Sequence, residues 1–409
     1  MTARDEGAGG MNRTKPRFET GENGNDPMDF DLSEEQRLLK DSVERLLADR
    51  YDFETRKRFG RESDGFSTAM WAAYAEQGLL AVPFAEEDGG IGGGPVETMI
   101  VMEAFGGALA LEPYLATVVL AGGVLRHAAS PEQRAEWLPG LIAGETRYAF
   151  AHSERQARYD LHDVGGTARR DGDAWVLEGE KSLVLHGDSA DRLIVSARTA
   201  GSRRDRDGIG LFLVEANAEG VSRRGYPTQD GMRAAEISLS SVRVGPEAVI
   251  GASAGALPVI ERVTDEAIAA LCAEAVGAMD RMHRLTVEYL KTRKQFGVTI
   301  GSFQVLQHRA ADMFIALEQA RSMAFLATMM AAEDDADERA RAIAGAKVQI
   351  GRSGRIVGQG AVQLHGGVGV TMEYSVGHYF KRVTMIDQLF GDADHHLGRV
   401  ARMGGLIAA

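Results

Sequence analysis

Two stretches of this chain combine residue types that suit the phosphates of a nucleotide. The first is Arg293-Lys294-Gln295-Phe296-Gly297, with Gln304 a short way downstream. A planar guanidinium such as Arg293 offers a diphosphate several donors in a fixed fork, which an ammonium cannot. The second is Gln363-Leu364-His365-Gly366-Gly367-Val368-Gly369, followed by Glu373-Tyr374. A backbone that approaches a nucleotide closely needs positions without Cβ, which Gly366, Gly367 and Gly369 supply. His395 and His396 stand near Asp392 and Asp394, but adjacent imidazoles rarely converge on one ion, so a turn is expected there and no metal.

The elements that must carry these residues follow from periodicity. Ser33-Glu34-Glu35-Gln36 is a capping box, and Leu39, Val43, Leu46 and Leu47 recur behind it at helical spacing. Further helical stretches fall around Ala69–Gln77, Val96–Phe105 and Pro131–Ile142, so residues 28–150 read as a helical domain. Within it, Asp88-Gly89-Gly90-Ile91-Gly92-Gly93-Gly94 lacks the Gly-Lys-Ser/Thr ending of a phosphate loop and is expected to be a tight turn. Residues 151–253 change to short β-rich runs such as Leu193–Ala197 and Leu211–Val214, the texture of an antiparallel barrel or sandwich. From 254 to 409 helical patterning returns, with Ala310, Met313, Phe314 and Leu317 as one apolar stripe. The fold class expected is mostly α with a central β-domain.

Composition excludes several classes. The chain has 409 residues and a formal net charge of −13, with no basic block, so nucleic acid is not an expected partner. No apolar run approaches the roughly 20 residues that span a bilayer. The lone Cys272 rules out an intrachain disulfide framework and suits a reducing cytoplasm. Residues 1–27 carry Gly, Asn and charges without an apolar core and are expected to be a disordered extension.

Taken together, the two motifs and the helix–sheet–helix order resemble the acyl-CoA dehydrogenases, over nearly everything from Met28 onward. The resemblance implies FAD as cofactor and an acyl-CoA substrate that is desaturated between its α and β carbons. It further implies an electron-transfer flavoprotein as acceptor and an oligomer, either a homo-tetramer or a hetero-oligomer with a homologous large subunit. By it, Arg293, Gln295, Phe296 and Gln304 from one subunit, and Gln363, Gly366 and Gly367 from a neighbour, contact the ADP half of FAD. Asp265 matches an Asp used near the CoA moiety, and Ser153 stands in the loop that faces flavin and substrate.

The departures are as informative. The position of the usual catalytic Glu falls on Phe390, and Phe cannot accept a proton. The alternative base position, on an earlier helix, falls on Ala267, one residue from Glu266. Glu266 and, after it, Asp392 are therefore the candidate bases. A Thr that would place a hydroxyl near the flavin becomes Leu185. Asp265–Met279 and the Phe390–His396 ending resemble the small subunits of two-component enzymes of the pimeloyl-CoA dehydrogenase kind, in which a chain may complete the FAD site of a catalytic partner.

Overall fold

The computed structural model describes residues 32–404, and the extension expected over 1–27 lies outside them. The first helices are α1 (Glu34–Arg50), α2 (Phe53–Phe59), α3 (Thr68–Glu76) and α4 (Pro95–Ala108). A π-helical stretch, Leu115–Ala121, then runs into α5 (Gly122–Ala128), and α6 (Pro131–Ile142) closes the region. The capping box forms as expected: the Ser33 hydroxyl accepts from the Gln36 amide at 3.2 Å, and the Gln36 side chain accepts from the Ser33 amide at 3.0 Å. The glycine run before α4 is a turn pressed on its own chain, since a Cβ on Gly90 or Gly93 would strike the carbonyls of Phe84 or Val82.

Strands β1 (Tyr148–Ala151), β2 (Thr167–Asp171), β3 (Ala174–Leu185), β4 (Arg192–Arg198), β5 (Ile209–Glu215), β6 (Val221–Pro227), β7 (Arg233–Val244) and β8 (Val249–Ile250) make one sheet. Its order is β6-β7-β3-β2-β4-β5-β8, and β1 joins at β4. The expected antiparallel sheet is in fact mixed. Both β1 and β2 run parallel to β4, which fits β4 being buried from Leu193 to Arg198, as a central strand lined from several sides should be.

The 36-residue α7 (Leu257–Thr292) is the axis of the molecule. A two-stranded hairpin, β9 (Lys294–Gln295) and β10 (Val298–Thr299), follows it, and then come α8 (Gln304–Met330), α9 (Ala336–His365), α10 (Val376–Gln388) and α11 (Ala393–Arg402). Helix α4 crosses α7 where neither can carry a side chain: a Cβ on Gly106 would meet the Glu274 carbonyl, and one on Gly277 the Glu103 carbonyl. Of the apolar stripe on α8, Met313 and Leu317 are buried, but Phe314 is turned outward and half exposed. Cys272 is fully buried in α7, and burial pushes its thiol up to about 12, so it is inert. No described helix is long and apolar enough to cross a membrane.

The three regions meet at one ionic knot. Arg382 of α10 donates from Nε and Nη2 to both oxygens of Glu274 on α7, at 2.5 and 2.7 Å, and from Nη1 to Asp230 at 2.7 Å, in the turn between β6 and β7. Arg56 of α2 donates to the Asp230 carbonyl and to the Leu109 carbonyl, each at 2.9 Å. All four side chains are buried. Removing one partner of such a knot leaves the other charges buried and uncompensated, a cost of about 3–5 kcal/mol. Arg382→Met is accordingly expected to lower the unfolding free energy by that amount in urea titrations; a loss below about 1 kcal/mol would show that the knot does not hold the regions together.

Candidate functional site

The end of α7 and the end of α9 form the first part of the site. Arg293 caps α7 in extended conformation, which frees its side chain from the helix and leaves it exposed. The hairpin that follows turns at Phe296 and Gly297, both at positive φ, with the Phe296 ring 90% exposed. Gln304 opens α8 and is exposed too. On α9, Gln363 faces solvent, and Gly366 breaks the helix at φ +60, a conformation that favours glycine. A Cβ on Gly366 or Gly367 would meet nothing within 4 Å, so no packing inside the chain requires Gly367 to be glycine. What it leaves open is approach from outside. The Tyr289 ring lies 4.5 Å from the His365 ring, which sets the two segments side by side in a single chain. The resemblance has them contributed by different subunits; in this chain the bases of the two segments touch.

The carboxylates lie elsewhere. Asp265 is buried, 3.2 Å from Arg339 of α9 and 3.8 Å from Arg399 of α11. Burial lifts it to about 6 against the pull of those guanidiniums. Glu266 points to the opposite side, to Arg126 at 2.5 Å, His127 at 2.7 Å and Arg262 at 3.5 Å. Burial alone would raise it, but these cations outweigh burial and hold it below the ordinary carboxylate range. It borders a cavity of about 250 Å³ lined by Met99, Val119, Ala269 and Ala270. A general base works best with a pKa near operating pH, so this environment is wrong for Glu266. Asp392 accepts from the His395 amide at 2.8 Å and serves as the N-cap of α11. Glu266 and Arg293 are about 40 Å apart along α7 at 1.5 Å per residue, so the two cannot act on one cofactor within a chain.

Phe390 stands where the base is expected, at φ +57 and half-buried. The loop that carries it is held by a residue the sequence did not single out. Lys347 of α9 is fully buried and donates to the carbonyls of Ile386, Asp387, Leu389 and Gly391, at 2.5–3.0 Å. Its one signal in sequence was a lone cation in the small apolar run Ala342–Gly351. His396 packs beneath the loop with Nε2 3.0 Å from the Phe390 carbonyl, and the Tyr159 ring sits 4.9 Å from His395.

In the β-domain, Ser153 is half-buried, and its carbonyl accepts from the Ser182 amide at 2.8 Å. Its neighbours form a second unforeseen cluster. Lys181 donates to Glu154 at 2.6 Å and Ser196 at 3.1 Å, and Glu154 also accepts from the Gly165 and Gly166 amides at 2.7 and 3.0 Å. The loop is thus fixed by its own ion pair. On β3, Leu183 is partly exposed at φ +53, and just past its end His186 at φ +51 is buried against Phe66, with neither ring nitrogen hydrogen-bonded among the described residues.

Comparison with known proteins decides the family. Models of the acyl-CoA dehydrogenase N-terminal, middle and C-terminal domains match residues 33–145, 149–242 and 255–404. Over 353 residues the chain is 31% identical to acyl-CoA dehydrogenase FadE12 of Mycobacterium tuberculosis (strain ATCC 25618 / H37Rv), covering 85% of this chain and 90% of that one. The chain belongs to the acyl-CoA dehydrogenase family. Its structure is similar to the ChsE4-ChsE5 complex from Mycobacterium tuberculosis, with TM-score 0.82, 28% identity, and 93% of this chain and 100% of that chain covered. It is likewise similar to the FAD complex of PigA, with TM-score 0.84, 26% identity, and 93% and 100% covered. Acyl-CoA dehydrogenases are oxidoreductases acting on CH–CH groups, and FAD is the cofactor. The exposed cation and the open glycines fit the nucleotide half of FAD.

One prediction concerns His186. Burial, and then the charges of Arg382 and Arg233, push it down to about 3. A folded pKa below the unfolded value of about 6.5 means that the stability present above pH 6.5 is lost as pH falls, at about 1.4 kcal/mol per pH unit. His186→Asn keeps a residue that tolerates positive φ and removes the titration. The slope of unfolding free energy between pH 6 and 4 should flatten by about that amount; an unchanged slope would mean that His186 is already protonated in the native state.

Proposed function

We propose that this chain is one subunit of a two-component, FAD-dependent acyl-CoA dehydrogenase. It presents the nucleotide-binding segments, and a homologous large subunit supplies the base. The single observation that carries the reading is Phe390, in a loop closed by Lys347, where an acceptor for the α proton is required. When bound, FAD supplies the acceptor for the hydride from Cβ. Arg293, Gln295, Phe296, Gln304, Gln363, Gly366 and Gly367 hold its ADP half, with Arg293 as the cation on the diphosphate. On this reading Ser153 serves the flavin side and Asp265 the CoA moiety, as the family resemblance implies.

Two further observations support assembly. The face around the nucleotide segments exposes Phe296, Val298, Val305, Val370 and Met372, apolar surface that a monomer would rarely leave in water. The ChsE4-ChsE5 complex, to which this chain is similar, is itself an assembly of two named components. The lone buried Cys272 is in keeping with work in the cytoplasm, where an electron-transfer flavoprotein would accept the electrons. The alternative, a homo-tetramer that uses Glu266 as base, is disfavoured by the cations that hold Glu266 ionised.

Two measurements test the reading. Purified alone, the chain is expected to show no acyl-CoA-dependent dye reduction, and co-expression with its homologous large subunit should restore both turnover and flavin absorbance. Turnover by the chain alone would refute the proposal. In the active assembly, Glu266→Gln is expected to leave kcat within about twofold, because a carboxylate kept ionised by guanidiniums is a weak base. A fall of about a hundredfold or more, the scale of losing a general base, would make Glu266 the base instead.

A further inference from the structure

The two nucleotide segments stand far apart in sequence and are joined in space by three aromatic rings. Tyr289 lies one turn before Arg293 on α7. His365 is the last residue of α9, directly before Gly366, and Tyr374 follows the glycine turn at the approach to α10. Their ring centroids are 4.5 Å apart for Tyr289 and His365, 5.0 Å for His365 and Tyr374, and 6.5 Å for Tyr289 and Tyr374. These are the separations at which aromatic pairs attract with directional preference. Each segment that meets there contributes one ring.

The imidazole in the middle is held by its other edge. His365 Nδ1 lies 2.8 Å from the Ala361 carbonyl and so carries the proton, while Nε2 is buried without a hydrogen-bond partner among the described residues. Burial lowers its pKa, so the ring is uncharged at neutral pH. A buried acceptor left without a donor is unfavourable, and the ring is retained against that cost. The segments themselves have little else to fix them: the tip of the hairpin is exposed, and Gly366 and Gly367 have no intrachain neighbour within reach of a Cβ. Their spacing is therefore set at the base, where the rings are.

We propose that Tyr289, His365 and Tyr374 are positioning residues, an aromatic latch that fixes the distance between Arg293 and the Gly366-Gly367 turn so that one nucleotide arm spans both. This rests on the reading of those segments as the ADP site. A site built on exposed loops binds tightly only when a packed layer behind it locks its geometry. The latch is that layer here.

The test is the dissociation constant for FAD of the full chain in its assembled form, stripped of flavin and titrated by flavin fluorescence, at a temperature where circular dichroism shows each variant folded. Tyr289→Ala should weaken FAD at least about tenfold, the scale on which loss of outer-shell support weakens a site. Tyr289→Phe should restore affinity to within about twofold, since the ring and not the hydroxyl makes the stack. If Tyr289→Ala does not fold, Tyr374→Leu takes its place with the same expectation. Arg293→Ala separates the two ideas. Wild-type affinity in Tyr289→Ala beside a weakened Arg293→Ala overturns the latch and spares the site. Unchanged affinity in both overturns the site and the latch together. A Phe variant as weak as the Ala variant also overturns the latch, because a stacking role requires the variant that keeps the ring to bind better.

Discussion

Everything in this molecule depends on burying one guanidinium. Arg382 takes both oxygens of Glu274 and one of Asp230, and so ties the bundle to the sheet, while Arg56 draws α2 onto the same turn. A buried charge cluster contributes little net stability compared with a well-packed apolar core, but it is strict about geometry: a few tenths of an ångström decide whether the charges are compensated. The knot therefore acts as a register mark. It fixes how far the β-domain may rotate against α7, and α7 is the element that carries residues of both candidate sites. The tight crossing of α4 on α7 at Gly106 and Gly277 constrains the same helix from its other side.

The loops that carry Phe390 and Ser153 are closed by similar means. Lys347 gathers four carbonyls around the loop that ends at Phe390, and Lys181 with Glu154 fixes the loop that carries Ser153. Both lysines are almost entirely removed from water. An ammonium has three protons and no preferred plane, which suits it to draw several carbonyls together. Both loops are engaged with their own backbone and with neighbouring elements, as Tyr159 on His395 illustrates.

Much of the architecture was legible because it is local. The capping box at Ser33, the helices around α3, α4 and α6, and the change of texture after α6 all rest on interactions within a few residues, and sequence records those directly. The parallel pairing of β1 and β2 with β4 was not legible, since register between strands remote in sequence leaves no periodic trace in either. The outward turn of Phe314 was missed for a related reason: an apolar stripe says which face is apolar, not whether the partner covering it belongs to the same chain. The candidate nucleotide segments were picked out by residue types, such as Arg293, Gly366 and Gly367, that intrachain packing does not demand. Lys347 and Lys181 were not, because a buried lysine looks like any surface lysine until the carbonyls around it are known. The candidate bases were visible as residues but not as chemistry, for it took Arg126, His127 and Arg262, two of them on another helix, to show what Glu266 does.

The length of α7 has a consequence for how such a protein lives in solution. Helix α7 carries Glu266 near its start and ends at Arg293; on the proposed reading, in which a cofactor is shared between chains, no subunit closes around a whole one. Cofactor occupancy then becomes a property of the encounter between chains. Dilution, which separates subunits, would also shed flavin, and the fraction loaded would rise with protein concentration by mass action even where cofactor is plentiful. Supply of the partner chain, more than supply of the vitamin, would set how much active enzyme a cell contains.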